Sequence, residues 1–209
     1  MKVIVFGATG KIGSLAVEQM LSIGHEVTAF ARRPESLVIK HKALTLQAGD
    51  AMDAETVATA VQGHDAVVVA LGAGMSRKGT IRSTGTLNVI NAMQRHGVRR
   101  LICQSTLGAH ESWNNLNFFW KRIMFGALLR PVFKDHELQE SLVRASGLDW
   151  TIVRPSAFDT RPATGAYHEG FDASAKGLTL KIATQDIAGF LTRQLAERTY
   201  FQRAVAISN

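Results

Sequence analysis

Gly7, Gly10 and Gly13 stand at a regular spacing in MKVIVFGATGKIG, the first thirteen residues of a 209-residue chain. Glycine at the first position permits a sharp turn, at the second a close approach of backbone to a diphosphate, and at the third close seating of a helix on a strand. Thr9, Lys11 and Ile12 lie between them and share the loop. Free N–H groups at a helix N-terminus would then face an anion. The GxxGxxG spacing is weak evidence on its own, and a tight turn without a ligand also accounts for it; its position between a strand and a helix strengthens it.

Further along, Arg32 and Arg33 follow FA at the end of an apolar run, where a dinucleotide site places the group that meets the adenosine ribose. An acidic residue there suits a free 2′-hydroxyl, and guanidinium suits a 2′-phosphate through paired N–H donors. The arginines therefore predict NADP(H), against the alternative of a solvated charged turn. Asp50, in the Gly49-Asp50 step, has two roles open to it: bonding an adenine amino group, or capping a helix that begins near Asp53 and Glu55. Leu71, Gly72 and Gly74 end another apolar run and would let backbone approach the cofactor. Ser105 ends a fifth run and has a hydroxyl able to donate to an acceptor or orient a water.

The elements that must position these groups alternate. Short Val- and Ile-rich runs at 2–6, 26–31, 44–48, 66–71 and 100–104 predict buried strands. Helical spacing is expected from Ile12 to a stop at Gly24, over 54–61, and over 84–96. A sixth strand is expected at 150–153 leading into Arg154 and Pro155, a helix at 187–195 started or capped by Asp186, and a closing strand at 204–207. Regular alternation predicts an α/β Rossmann fold, a doubly wound and mostly parallel sheet with helices on both faces, in one domain spanning 1–209. Right-handed crossovers bring Gly7, Arg32, Gly49, Gly72 and Ser105 to one sheet edge.

With GATGKIG, the Arg32-Arg33 turn, GDAMDAETVATAVQGHDAVVVALG, Ser105 and the tract from Asp135-His136 through SGLDWTIVRPSAF to TGAY, the chain resembles the atypical short-chain dehydrogenase/reductase superfamily. The branch it resembles contains NAD(P)-binding proteins similar to NmrA and to biliverdin reductase B, a flavin reductase. The resemblance implies that Ser105 lies beside nicotinamide and substrate, and that Pro155, Ser156, Ala157 and Phe158 pass beside the nicotinamide. It also implies that the segment from Thr164 to Tyr167 walls the far side of the substrate cleft. Ala157 stands where the biliverdin reductase branch has histidine, which argues against tetrapyrrole reduction. Neither Tyr167 nor Tyr200 is followed by lysine four residues later, so the YxxxK pair of ordinary alcohol dehydrogenation is missing. His136 is a candidate acid near neutral pH, with helix-start or solvent-facing placement beside Asp135 as the plainer alternative.

An aromatic insertion at about 107–134 contains Trp113, Phe118, Phe119, Trp120, Phe125 and Phe133 among Lys121, Arg122 and Arg130. Core packing, including a short helix over 124–129, is the first expectation. A substrate lid using Trp113 comes next, then a dimer interface and contact with a membrane surface. Tyr167 is a second substrate candidate, with a structural tyrosine as the alternative.

The net charge of +7 favours anionic ligands. No basic run interleaved with aromatics and no zinc-ligand spacing is present, so neither specific nucleic-acid binding nor a metal is expected. One cysteine, Cys103, excludes an internal disulfide framework, and no secretory pattern precedes the first strand; a cytoplasmic monomer or homodimer is expected. Two functions fit. One is an NADPH-dependent reductase of a small planar acceptor, a flavin (FMN or FAD as substrate) or a quinone. The other is a non-catalytic NADP(H)-binding sensor of the NmrA type.

Overall fold

The computed structural model describes residues 1–72, 79–175 and 177–209; Gly74 of the sequence reading lies outside them. Strands β1 (Lys2–Phe6), β2 (Glu26–Ala31), β3 (Leu44–Ala48), β4 (Ala66–Val69), β5 (Arg100–Gln104) and β6 (Asp149–Pro155) are joined by helical crossovers. The crossover helices are α1 (Lys11–Ser22), α2 (Ala54–Val61), α3 (Ile81–His96) and α4 (Arg130–Ala145). Strands β7 (Ala157–Asp159), β8 (His168–Glu169) and β9 (Lys181–Ala183), helix α5 (Thr184–Arg193) and strand β10 (Arg203–Ser208) complete the chain. The main sheet runs β3-β2-β1-β4-β5-β6-β10-β8, parallel except for β8 against β10. It is the doubly wound Rossmann order, with the strand order reversing between β1 and β4.

Burial explains the strand pattern. Val3, Ile4, Val5 and Phe6 of β1 and Ala66 to Val69 of β4 have no solvent-accessible surface, because helices cover both faces. One face packs on α1 and α5 through Ala16, Val17, Met20 and Phe190, the other on α2 and α3 through Val57, Val61, Val89 and Met93.

Several boundaries differ from the sequence reading. Strand β4 stops at Val69 rather than residue 71, and α3 starts at Ile81, three residues earlier than its apolar spacing indicates. Its start is set from outside: the Asp135 carboxylate on α4 accepts the Arg82 and Ser83 amides at 3.1 Å each and the Ser83 hydroxyl at 2.5 Å. Asp135 is therefore the sixth residue of a helix that begins at Arg130 and caps its neighbour rather than its own helix. Asp186 is likewise inside α5, where it accepts the amides of Gly165 and Thr164 and ties down that loop. The short helix expected over 124–129 is part of a π-helix, Phe119–Leu128, whose wide turn is closed by the Leu129 amide on the Met124 carbonyl at 2.7 Å.

Beneath the site lies a buried ion pair. Arg154 on β6 donates from Nε and Nη2 to both carboxylate oxygens of Glu140 on α4 at 2.9 and 2.6 Å, with side chains 2% and 0% exposed. Burial lowers the affinity of Arg154 for its proton, but Glu140 and Glu111 more than offset this and raise its pKa. Replacing Glu140 by Gln leaves the guanidinium facing only Glu111. Glu140→Gln is expected to lower unfolding free energy by about 3–5 kcal/mol, read as a fall in the urea midpoint at unchanged slope; a loss below about 1 kcal/mol would show the pair to be dispensable.

Candidate functional site

A cavity of about 540 Å³ opens at the carboxyl edge of the sheet, in the size range of small-molecule sites. Its floor is made by the turn after β1. Gly7 has φ +82°, and a Cβ there would meet the Ala70 carbonyl oxygen at 2.4 Å. A Cβ on Gly13 would lie 2.2 Å from the Gly7 carbonyl oxygen, so the first turn of α1 sits directly against the strand end. Gly13 acts through this packing and does not itself line the cavity, whereas Gly7, Thr9, Gly10, Lys11 and Ile12 do.

The helix N-termini around the edge are not equivalent. Asp53 caps α2 through the Glu55 and Thr56 amides, and Asp135 caps α3. No side chain caps α1, and its first turn holds no acid. Its leading N–H groups are therefore available to an anion in the cavity, reinforced by Lys11.

Arg32, exposed at the end of β2, lines the cavity, and its guanidinium forms no hydrogen bond or ion pair among the described residues. Arg33 is exposed beside it but does not line the cavity; its carbonyl accepts from Ser36. Asp50 lines the cavity and accepts the Met52 amide at 3.0 Å, while Asp53 performs the helix cap, so the capping role considered for Asp50 belongs to another residue. Leu71 and Gly72 form the wall beyond β4.

Ser105 is 2% exposed, lines the cavity, and its hydroxyl has no hydrogen-bond partner among the described residues. Its amide donates to the Val153 carbonyl at 2.7 Å, so its backbone is held by the neighbouring strand while the hydroxyl is uncommitted. Phe158 of β7 is 49% exposed and closes the same side. Pro155 continues β6 in register with Ile207 and is not part of the wall. Ser156 and Ala157 line a separate small cavity of about 40 Å³, which meets Thr106 on one side and Trp120 and Phe125 on the other.

Two substrate candidates are placed elsewhere. Trp113 packs on Phe133, ring centroids 5.3 Å apart, in a cluster with Phe125, Leu107, Leu116 and Leu180. The aromatic tract is thus largely a core of its own beside the cavity, as first expected, although Phe118 and Phe119 remain 74% and 49% exposed. Tyr167 meets Phe190 edge-on at 6.3 Å on the α1–α5 face and lines no part of the main cavity. In both cases apolar surface finds a closer partner than the cleft.

Arg82, Gln104 and Thr106 line the cavity without having been singled out from sequence. His136 lines it too, but as a residue of the helix interior, 9% exposed, with Nδ1 3.3 Å from the Gln139 side-chain oxygen. Burial first, and then the Arg82 charge, lower its pKa to about 3. It is therefore neutral near pH 7, which removes both the neutral-pH acid and the solvent-facing helix-start expected for it. The Cys103 thiol is fully buried and its pKa is raised by burial, so it is not a nucleophile. Among the described residues no cluster of three potential metal ligands occurs, and no helix is long and apolar enough to cross a membrane.

The NAD(P)H-binding family matches residues 7–198 of the chain. A relative from Bacillus subtilis (strain 168), an uncharacterized sugar epimerase YhfK, is 28% identical over 217 residues, covering 98% of this chain and 92% of its own length. Among solved structures, ChuY, an anaerobilin reductase from Escherichia coli O157:H7, superposes with a TM-score of 0.81 at 24% identity over 99% of this chain and 96% of its own. A wide-type short-chain dehydrogenase/reductase from Veillonella parvula DSM 2008, solved with NADP, gives 0.83 at 18% identity over 100% and 94%. At these identities the superpositions establish a shared fold, while the family match extends from the first glycine of the loop to beyond α5. This chain belongs to the NAD(P)H-binding family and has the Rossmann fold.

Proposed function

We propose that the protein is an NADPH-dependent reductase that passes a hydride directly to a small planar acceptor such as a flavin or quinone. The observation that carries this reading is one cavity with an uncapped helix N-terminus at its centre, an unpaired arginine over β2 and a buried, unpartnered serine hydroxyl over β5. Bound NADPH supplies the hydride and solvent supplies the proton. The α1 N-terminus and Lys11 would hold the pyrophosphate, and Arg32 the 2′-phosphate that distinguishes NADPH from NADH. Ser105 would donate to the acceptor's carbonyl or ring nitrogen as negative charge develops there, and Phe158 would restrict water at the same end. The NADP complex of the Veillonella protein and the reductase activity named for ChuY favour the same assignment. A buried free thiol suits the reducing cytoplasm expected from sequence.

A second reading has its own support. The π-helix exposes Phe119, Ile123 and Leu128, with Phe118 exposed just before it, apolar surface that a non-catalytic NADP(H) sensor would use for a protein partner. A sensor binds both redox forms of the dinucleotide and turns over no acceptor.

The deciding experiment is NADPH oxidation with FMN, FAD, riboflavin and quinones in wild-type, Arg32→Ala, Arg33→Ala and Ser105→Ala proteins. Arg32→Ala is expected to raise KM for NADPH about tenfold or more, with a smaller change for NADH, since a charged hydrogen bond contributes about 1.5–3 kcal/mol. Arg33→Ala should have the weaker effect, and Ser105→Ala should lower kcat. Tight NADPH binding without turnover on any acceptor would replace the reductase with the sensor.

The pH dependence follows from His136. The unfolded residue takes up a proton near its ordinary value of 6.5 and the folded residue only near 3, so protons favour the unfolded chain between these limits. The stability tied to neutral His136 is full above pH 6.5 and is lost as pH falls toward 3. His136→Gln is therefore expected to lose less stability than wild type between pH 6.5 and 4 in urea titrations, and the wild-type rate should show no imidazole ionisation between pH 5.5 and 8. A rate step near pH 6.5 that disappears in His136→Gln would refute the neutral assignment.

A further inference from the structure

The end of the cavity opposite Arg32 carries a second cation whose hydrogen-bonding capacity is largely unused. Arg82 is the second residue of α3, lines the cavity, and its side chain is only 13% exposed. Its Nε and Nη1 have no hydrogen-bond partner among the described residues. The nearest acid, Asp135, lies 3.7 Å from Nη1, too long for a hydrogen bond, and both of its oxygens already accept amides of α3. Asp135 thus balances the charge of Arg82 without saturating its donors. Burial lowers the pKa of the guanidinium, yet arginine stays protonated at any physiological pH.

Two further features make this end a built site. The Ser105 hydroxyl, in a residue 2% exposed, is also without a partner, and His136 beside it is neutral and adds no competing charge. Position separates the subsite from the cofactor's own phosphate sites. Arg32 follows β2, the uncapped helix follows β1, and Arg82 and Ser105 follow β4 and β5, in the strand order β2-β1-β4-β5. Three strand spacings, about 14 Å, separate the ends of β2 and β5. A dinucleotide with its 2′-phosphate at Arg32 and its pyrophosphate on α1 leaves the β4–β5 end for the acceptor.

We propose that Arg82 forms an anion subsite, in the same cavity as the Ser105 hydroxyl that meets the ring, and that it holds a carboxylate or phosphate of the acceptor, so that the preferred acceptors are planar rings bearing such a group. A buried guanidinium with open donors at its side is matched by an oxyanion, which accepts two N–H groups at once and balances the charge, whereas a neutral carbonyl does not. This assignment rests on the reductase reading for the word acceptor, but the anion subsite itself does not require turnover.

The test compares FMN with riboflavin, which share one ring and differ in the phosphate, in wild type, Arg82→Met and Arg82→Lys. In wild type the kcat/KM ratio of FMN to riboflavin is expected to be about tenfold or more. The ratio should fall to near one in Arg82→Met and take an intermediate value in Arg82→Lys, with melting temperatures reported for all three. Should neither flavin be reduced, the same comparison is made by equilibrium titration of each flavin into NADP⁺-saturated protein, so failure of the reductase reading leaves the subsite testable. A wild-type ratio near one, or a ratio that Arg82→Met leaves unchanged, overturns the proposal. A rise in the NADPH Kd of Arg82→Met of about tenfold with the flavin ratio intact also overturns it, by assigning the arginine to the cofactor's phosphate.

Discussion

The contact between Gly13 and the carbonyl oxygen of Gly7 is the constraint on which the rest of the site depends. With any side chain at residue 13 the first turn of α1 would have to move off the end of β1, because the Cβ would sit 2.2 Å from that oxygen. The close seating aims the helix N-terminus into the cavity. No side chain caps it; the Gly7 carbonyl takes up the Gly10 amide and the Gly10 carbonyl the Ser14 amide, which leaves the amides of Lys11, Ile12 and Gly13 to water or to an anion. The neighbouring helices differ: Asp53 and Asp135 satisfy the corresponding amides of α2 and α3. Of these three strand-to-helix turns, the one after β1 alone leaves its leading amides without a side-chain cap among the described residues.

The walls of the cavity are held by charges that never reach it. Asp135 joins α4 to the start of α3, and Glu140, on the same helix, joins α4 to Arg154 of β6. Breaking either contact leaves a buried charge or buried amides without a partner, so α4 has little freedom to shift. Arg82, Ser105 and His136, which are carried by α3, the end of β5 and α4, therefore keep a common geometry. The aromatic tract serves a related purpose. Phe125 stacks on Phe133 at 4.7 Å, and this cluster fixes the chain between Ser105 and α4 rather than offering its rings to the cleft.

Strands and the first half of the site were legible in the sequence because their determinants are local. A strand buried on both faces must be continuously apolar, as β1 is, and β1, β2, β3 and β5 have the predicted bounds, although β3 lies at the sheet edge and, unlike the expectation, has no buried residue. A glycine forced by a carbonyl six residues earlier is also a local signal, as at Gly13, where a Cβ would sit 2.2 Å from the Gly7 oxygen. What failed to show was set by partners distant in the chain. The start of α3 depends on Asp135, more than fifty residues away, so its polar first turn had no apolar spacing to reveal it. Short strands β7, β8 and β9 draw on pairing with each other and with β10 and carry no alternation long enough to read.

The sequence by itself determined the alternation of strands and helices, the glycine loop and the row of polar residues at one sheet edge, because burial and backbone geometry act on neighbouring residues. It also placed arginine where a 2′-phosphate would be met. Only the tertiary structure decided which of these residues face the cavity. It drew Trp113 and Tyr167 into packing, buried His136 as a neutral group, and left Arg82 and Ser105 with open hydrogen-bonding atoms. Those outcomes depend on desolvation and on the number of partners within reach, which are properties of the folded neighbourhood and not of the residue or its sequence position.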